Sequence, residues 1–196
     1  MVYGDSLSAG YGLPADKDWA SLLAGRLREE GFNYKVANAS VSGETTLGGK
    51  NRLAAALSRN QPAVVVLALG ANDGLRGGSL EEMRANLDAM VDASRKAGAR
   101  VLLVGMRLPP NYGAAYTEKF RKVFAEVAAS RKVPLVPFLF EGFAEDRAYF
   151  QPDGLHPAVQ AQPLILDTIW KALRPLLGGG ARTAQNRTKR PSPGLP

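Results

Sequence analysis

The sequence contains no cysteine, a single histidine and two tryptophans, and no apolar run reaches the roughly 18 residues that a bilayer-spanning helix needs. Without cysteine, disulfides and thiolate metal sites are excluded. The redox compartment stays open, because many exported proteins also lack cysteine. With only His156 present, any imidazole chemistry must pass through that residue. No charged segment followed by an apolar one precedes the first motif, so the chain as written reads as soluble and without an export address. What it does have is length and apolar content. Its 196 residues, 45% of them hydrophobic, suffice for one substantial core and favour a single domain.

The formal charge of +7 raises the question of a nucleic-acid partner, but much of that charge is local. From Gly178 onward, "GGGARTAQNRTKRPSPGLP" carries Arg182, Arg187, Lys189 and Arg190 with no acid, which leaves +3 for the preceding body. Glycine, proline and polar residues without periodicity predict a disordered basic tail over 178–196. A short basic tail is more often a solvated end than a nucleic-acid arm, so no nucleic-acid partner is expected.

Between Gly4 and Gly178, short apolar runs alternate with longer amphipathic ones, which is the α/β pattern. The apolar runs are a stub at Met1 to Tyr3, then "YKVANA", "AVVVLALG", "RVLLVG" and "VPLVPF". Their valine and leucine content suits parallel strands buried on both faces, and five strands are expected. Helical patterns run from Trp19 to Glu30, from about Asn51 to Arg59, from Ser79 to the stop at Gly98, and from about Thr117 to Arg131. Ser79 with Glu82 forms a capping box. A last helix is expected from Pro157 to about Leu176.

In an open parallel sheet, ligands bind outside the carboxyl ends of the strands. The segments that follow the strands read "GDSLS", "NASVSGETT", "GANDGLRGG" and "MRLPPNYG", all rich in glycine and small polar residues, and the histidine arrives later in "DGLHP". A serine such as Ser6 at a strand end is a turn residue or a nucleophile. The G-x-S-x-G elbow is not present, since Ser8 stands where its second glycine would be. Asp153, three residues before His156 in a loop made pliant by Gly154, can fold back to accept a hydrogen bond from the imidazole Nδ1, leaving Nε2 as a base. Pro157 at a helix start would place His156 at an N-terminus, where the helix dipole favours the neutral ring. Gly43 can offer a backbone N–H and Asn72 a side-chain amide to a developing oxyanion. Each has a bland reading as a loop glycine or a turn asparagine, and "DGLHP" one as a turn into a helix. Taken together, the bland readings require a coincidence at four loops.

"GDSLS", Gly43 in "NASVSGETT", "GAND" and "DGLHP" resemble the four sequence blocks of the SGNH (GDSL) hydrolases. The resemblance runs from Gly4 to about Leu177. In "LGANDGLRG", "RLPPNYG" and "DGLHPAVQAQP" it is similar to the bacterial multifunctional thioesterase I, lysophospholipase and arylesterase group. It implies Ser6 as nucleophile, Asp153 and His156 as the rest of a triad, and an oxyanion hole from the Ser6 and Gly43 N–H groups and Asn72. It also implies a flavodoxin-like three-layer α/β/α sandwich with a five-stranded parallel sheet in the order 2-1-3-4-5, spanning a hydrolase domain of residues 1–177. Ala71 departs from the usual second glycine before the asparagine. Members of this group usually begin with a secretion signal and a full first strand, whereas here only Met1, Val2 and Tyr3 precede Gly4. The expectation is a truncated first strand, a reading frame that begins late or was trimmed, and a periplasmic or secreted protein, with a cytoplasmic one as the alternative.

The expected function is therefore hydrolysis of carboxylic esters and thioesters through an acyl-enzyme, with small-molecule acyl substrates, no metal, no cofactor and no membrane insertion. The oligomeric state is left open. Leu75, Leu108, Pro109, Tyr112 and Leu155 lie beside the catalytic loops and are candidates to line an acyl groove, although apolar residues beside a sheet are core by default. The alternatives are a carbohydrate deacetylase of the same superfamily and a non-enzymatic flavodoxin-like module holding phosphate at "GETTLGGKN". The latter stretch misses the P-loop spacing, because Gly49 stands where lysine should follow Gly48.

Overall fold

The computed structural model describes residues 1–178; the sequence expectation for a disordered tail lies outside them, save for Gly178. Four parallel strands form one sheet in the order β1 (Val2–Gly4), β2 (Val64–Ala68), β3 (Arg100–Val104) and β4 (Leu135–Val136). Val2 pairs with Val66, Val66 with Leu102, and Leu103 with Leu135.

The side-chain period of a strand is two, and here it separates two cores. Val2, Val64, Val66, Leu102 and Val104 point to one face, where α2 (Trp19–Glu29) and α7 (Gln162–Leu173) cover them. Tyr3, Val65, Leu67, Val101 and Leu103 point to the other, under α3 (Thr46–Asn60), α5 (Leu80–Lys96) and α6 (Ala114–Arg131). Helix α7 buries Gln162, Ile165, Leu166, Ile169, Trp170 and Leu173, a stripe of period 3.6. Each large apolar side chain so buried contributes about 1.5–3 kcal/mol.

The expected five-stranded sheet is corrected to four strands. "YKVANA" runs beside β1 on its free side, but the pairing amounts to one parallel bridge, Val2 to Asn38. The Val2 N–H donates to the Ala37 carbonyl at 2.8 Å, the Ala39 N–H to Val2 at 2.9 Å and the Val41 N–H to Gly4 at 3.0 Å. A three-residue β1 offers no more ladder than this. β4 is held to two residues by Pro134 and Pro137 on its flanks, neither of which carries an N–H.

Three helix boundaries also differ from expectation. Helix α3 begins at Thr46 rather than Asn51, because the Thr45 side chain caps it by accepting from the Gly48 N–H. The Gly48–Gly49 pair is thereby helical, and the Gly49 carbonyl accepts the buried Tyr3 hydroxyl at 2.7 Å. Helix α6 starts at Ala114 rather than Thr117. The last helix starts at Gln162, not at Pro157, since Pro157 sits in an antiparallel bridge with Phe150 and the Ala158 N–H donates to Tyr149 at 2.7 Å. Half of the capping box forms at α5, where the Glu82 N–H donates to Ser79 Oγ at 3.2 Å.

Candidate functional site

Two short helices, α1 (Ser6–Ala9) and α4 (Ala71–Leu75), follow β1 and β2. They bring Ser6 and Asn72 to the same end of the sheet. Asp5 caps α1, its Oδ1 accepting the Leu7 N–H at 3.0 Å. The Asn38 amide donates to the Ser8 carbonyl at 2.7 Å and the Trp19 indole to the Leu7 carbonyl at 3.1 Å, so both carbonyls are tied to neighbouring loops. The chain can pass this tightly because position 4 is glycine. A Cβ there would lie 2.9 Å from the Ala68 carbonyl oxygen and 2.8 Å from Ser8 Oγ.

Ser6, His156 and Asp153 are brought into line. Ser6 Oγ lies 2.9 Å from His156 Nε2, and His156 Nδ1 lies 2.7 Å from Asp153 Oδ2. With the proton on Nδ1, the ring donates to Asp153 and accepts from the serine hydroxyl. The other carboxylate oxygen of Asp153 accepts the N–H groups of Leu155 at 2.9 Å and His156 at 3.0 Å. Partial burial pushes the Asp153 pKa up, but these two N–H groups and the imidazole outweigh it and hold the carboxyl down at about 2. The Tyr11 ring lies over His156, centroids 4.5 Å apart. His156 is not at a helix N-terminus, so the dipole argument for its neutral ring fails. Its orientation comes from Asp153 instead.

Gly43 and Asn72 stand beside this line. Gly43 adopts φ +77°, a conformation glycine takes without strain, and its carbonyl accepts from Arg76 at 3.0 Å. The Asn72 amide nitrogen donates to the Glu44 carbonyl at 3.0 Å and approaches Asp5 Oδ2 at 3.4 Å. The next residue, Asp73, accepts the Thr46 N–H at 2.9 Å and the Thr46 hydroxyl, which fastens α4 to the start of α3.

Of the apolar candidates, Leu155 is exposed between Asp153 and His156, and Tyr112 is half-buried with its hydroxyl donating to the Leu75 carbonyl at 3.1 Å. Leu75 and Pro109 are partly buried, while Leu108 is buried in the core under α4. Among the described residues, no group of three or more His, Asp or Glu side chains is gathered in a way that could hold a metal ion.

Two features of the site were not assigned from the sequence. Asp5 is 2% exposed and lies among Leu7, Ala68, Leu69, Ala71, Val104, Met106 and Leu139. This burial pushes its carboxyl up to about 6, against the pull of the Leu7 N–H and His156. Its place inside "GDSLS" was the available signal. The other is the Arg52–Glu44 ion pair. Arg52 also donates to the Ala39 carbonyl at 2.6 Å and stacks 4.1 Å from the centre of the Tyr3 ring. Helical spacing alone cannot reveal that pairing.

A parallel sheet whose strand ends gather a serine, a histidine–aspartate pair and an asparagine amide has the makings of a hydrolase site. A model of the GDSL-like lipase/acylhydrolase family matches residues 2–162, and the chain belongs to that family. It is 49% identical over 177 residues to Esterase TesA of Pseudomonas aeruginosa, covering 90% of this chain and 88% of the relative. A crystal structure of TesA matches with a TM-score of 0.88, covering 90% of this chain and 98% of the other. The chain is 40% identical to an arylesterase of Vibrio mimicus (88% and 86% covered) and 40% identical to Thioesterase 1/protease 1/lysophospholipase L1 of Escherichia coli (90% and 84% covered).

Proposed function

We propose that the protein hydrolyses carboxylic esters and thioesters through an acyl-enzyme formed on Ser6. The observation that carries this reading is the Ser6–His156–Asp153 line, with separations of 2.9 and 2.7 Å. The printed activities of the relatives, esterase, arylesterase and thioesterase/lysophospholipase, support it.

In this mechanism, Ser6 Oγ attacks the carbonyl carbon as His156 Nε2 takes the hydroxyl proton, and the carbonyl electron pair moves to oxygen. The Ser6 N–H, the Gly43 N–H and the Asn72 amide receive that oxyanion, each worth about 2.7–4 kcal/mol in comparable sites. Collapse re-forms the carbonyl and expels the alcohol or thiol, which takes the proton from His156. Water, deprotonated by the same ring, then attacks the acyl-serine, and a second collapse returns the proton to Ser6 Oγ and releases the acid. Asp153 holds the ring in one tautomer and offsets its positive charge while the proton is on Nε2.

The acyl chain is placed against Leu75, Pro109, Tyr112 and Leu155, with Leu108 as their support from the core. Each methylene buried there adds about 0.8 kcal/mol to transition-state binding. The hydrolase domain is assigned to residues 1–177. By the same likeness the protein is assigned to the periplasm or the exterior.

The test is kcat/KM across p-nitrophenyl esters of two to sixteen carbons, an acyl-CoA and an acetylated xylan, with Ser6→Ala as the control. Medium or long acyl esters should be preferred, and Ser6→Ala should be inactive and unlabelled by a fluorophosphonate. Acetyl-xylan as best substrate, with activity falling steadily from the two-carbon ester, would replace this reading with a deacetylase.

A further inference from the structure

Ser6 and His156 stand 150 positions apart in the chain, one at the start of α1 and the other in a loop with no backbone pairing to it. A relay 2.9 Å long therefore needs something to hold those segments in register. Two glutamines in and beside the "DGLHPAVQAQP" motif provide that hold. The Gln151 side-chain nitrogen donates to the Pro157 carbonyl at 3.1 Å and to the Tyr11 carbonyl at 2.9 Å. Tyr11 itself donates through its N–H to the Ser6 carbonyl at 3.4 Å. The Gln162 side-chain nitrogen donates to the same Pro157 carbonyl at 3.4 Å and to Ala158 at 3.3 Å, while its oxygen accepts the Trp19 N–H at 3.0 Å.

Both amides thus grip the peptide that follows His156, and each reaches across to the segment that follows Ser6. One does so at Tyr11 and the other at the start of α2. Gln162 is 2% exposed, and a buried amide retains its place only where its donors and acceptor are used. Gln151 has a cradle of its own. Gly12 has φ +70°, and a Cβ at that position would overlap the Gln151 amide oxygen. The Gln151 backbone N–H also donates to the His156 carbonyl at 2.8 Å, so the amide clamp and the imidazole move as one unit.

We propose that Gln151 and Gln162 are positioning residues that together set the distance between Ser6 Oγ and His156 Nε2, bracing the histidine loop against the serine loop at two points. The proposal rests on Ser6 and His156 being the nucleophile and base. Neither glutamine touches substrate, and both act through the imidazole.

The experiment measures p-nitrophenyl butyrate hydrolysis and the rate of fluorophosphonate inactivation. Misplacement of a catalytic group by about 1 Å costs on the order of a hundredfold. Gln151→Ala, which removes the partly exposed clamp, should lower kcat and the inactivation rate by about tenfold to a hundredfold, with KM within about twofold of wild type. Gln162→Glu keeps the acceptor for Trp19 and loses the donor to Pro157, and should show the same split if it folds. In a His156→Ala background, Gln151→Ala should cause no further loss, because a residue acting through the imidazole has nothing left to position. An unchanged kcat in Gln151→Ala overturns the proposal, and so does an equal loss in the His156→Ala background. Ser6→Ala and His156→Ala separate the two levels. Near wild-type activity in either control defeats the proposed function, whereas controls reduced to a small residual rate beside a fully active Gln151→Ala defeat the clamp alone.

Discussion

The side-chain amide of Asn72 donates to the backbone carbonyl of Glu44 at 3.0 Å, joining α4 to the loop that carries Gly43. The two oxyanion-hole candidates outside α1 are therefore held in one mutual geometry. In the proposed mechanism that amide stabilises charge that appears only in the transition state, so Asn72→Ala should lower kcat by about a hundredfold or more and leave KM nearly unchanged. Circular dichroism should report an intact fold. A kcat equal to wild type would remove Asn72 from the oxyanion hole.

Asp153 Oδ2 lies 2.7 Å from His156 Nδ1, and in the proposed mechanism it fixes which ring nitrogen carries the proton. With asparagine at 153, the amide NH₂ can replace the carboxylate opposite Nδ1 and favour the wrong tautomer. Asp153→Asn is expected to cost between about a hundredfold and ten-thousandfold in kcat. Asp153 itself is held at about 2, so its carboxylate stays ionised above that pH and keeps its contact with Nδ1. An Asp153→Asn variant as active as wild type would remove Asp153 from the triad.

The carboxyl of Asp5 titrates the other way from Asp153. Its folded pKa of about 6 exceeds the ordinary 3.8, so between those values the folded state binds more protons than the unfolded one. Stability then falls as pH rises from about 4 to about 6 and is flat beyond. Two pKa units correspond to about 3 kcal/mol at most. Asp5→Asn keeps an acceptor for the Leu7 N–H and removes the ionisation. Relative to that variant, the wild type should lose melting temperature across this window. Parallel curves for the two proteins would show that Asp5 is not perturbed.

Most of this architecture could be read in the chain because its signals are local. The valine-rich runs at 64–68 and 100–104 became strands, and the sequence pointed to Ser6 and Asn72 after strands and to Asp153 and His156 in the later "DGLHP" segment, which the structure brings near Ser6. What escaped was set by tertiary contacts. The Gly48–Gly49 pair reads as a loop, yet a Thr45 cap and the Tyr3 hydroxyl stabilise it as helix. Pro157 reads as a helix start, yet a bridge to Phe150 claims it. Asp5 was visible as a letter in a motif, but its altered acidity depends on side chains from three other segments converging on it. The glutamine braces depend on partners up to 143 positions away, and no periodicity encodes those.

Arg52 joins the Glu44 carboxylate to the Ala39 carbonyl beneath the Gly43 loop. Both members of the ion pair are partly buried, with side-chain exposures of 28% and 13%. Arg52→Met leaves Glu44 without its partner and should destabilise the fold by about 1–3 kcal/mol, less than for a fully buried pair. It should also lower kcat, through the loosened Gly43 loop. The double variant with Glu44→Gln should recover part of the stability. No change in denaturant midpoint for Arg52→Met would show the pair to be a surface contact only.

The prolines on either side of β4 bear on how copies of this protein meet one another. β4 is the last strand of the sheet, and the outer rim of any sheet invites another chain to add a strand. With Pro134 and Pro137 flanking two residues, that rim has almost no N–H groups to offer an incoming strand. The same residues that shorten the sheet thus guard against self-association at high concentration, and Pro137→Thr should raise the rate of aggregation without touching the reaction.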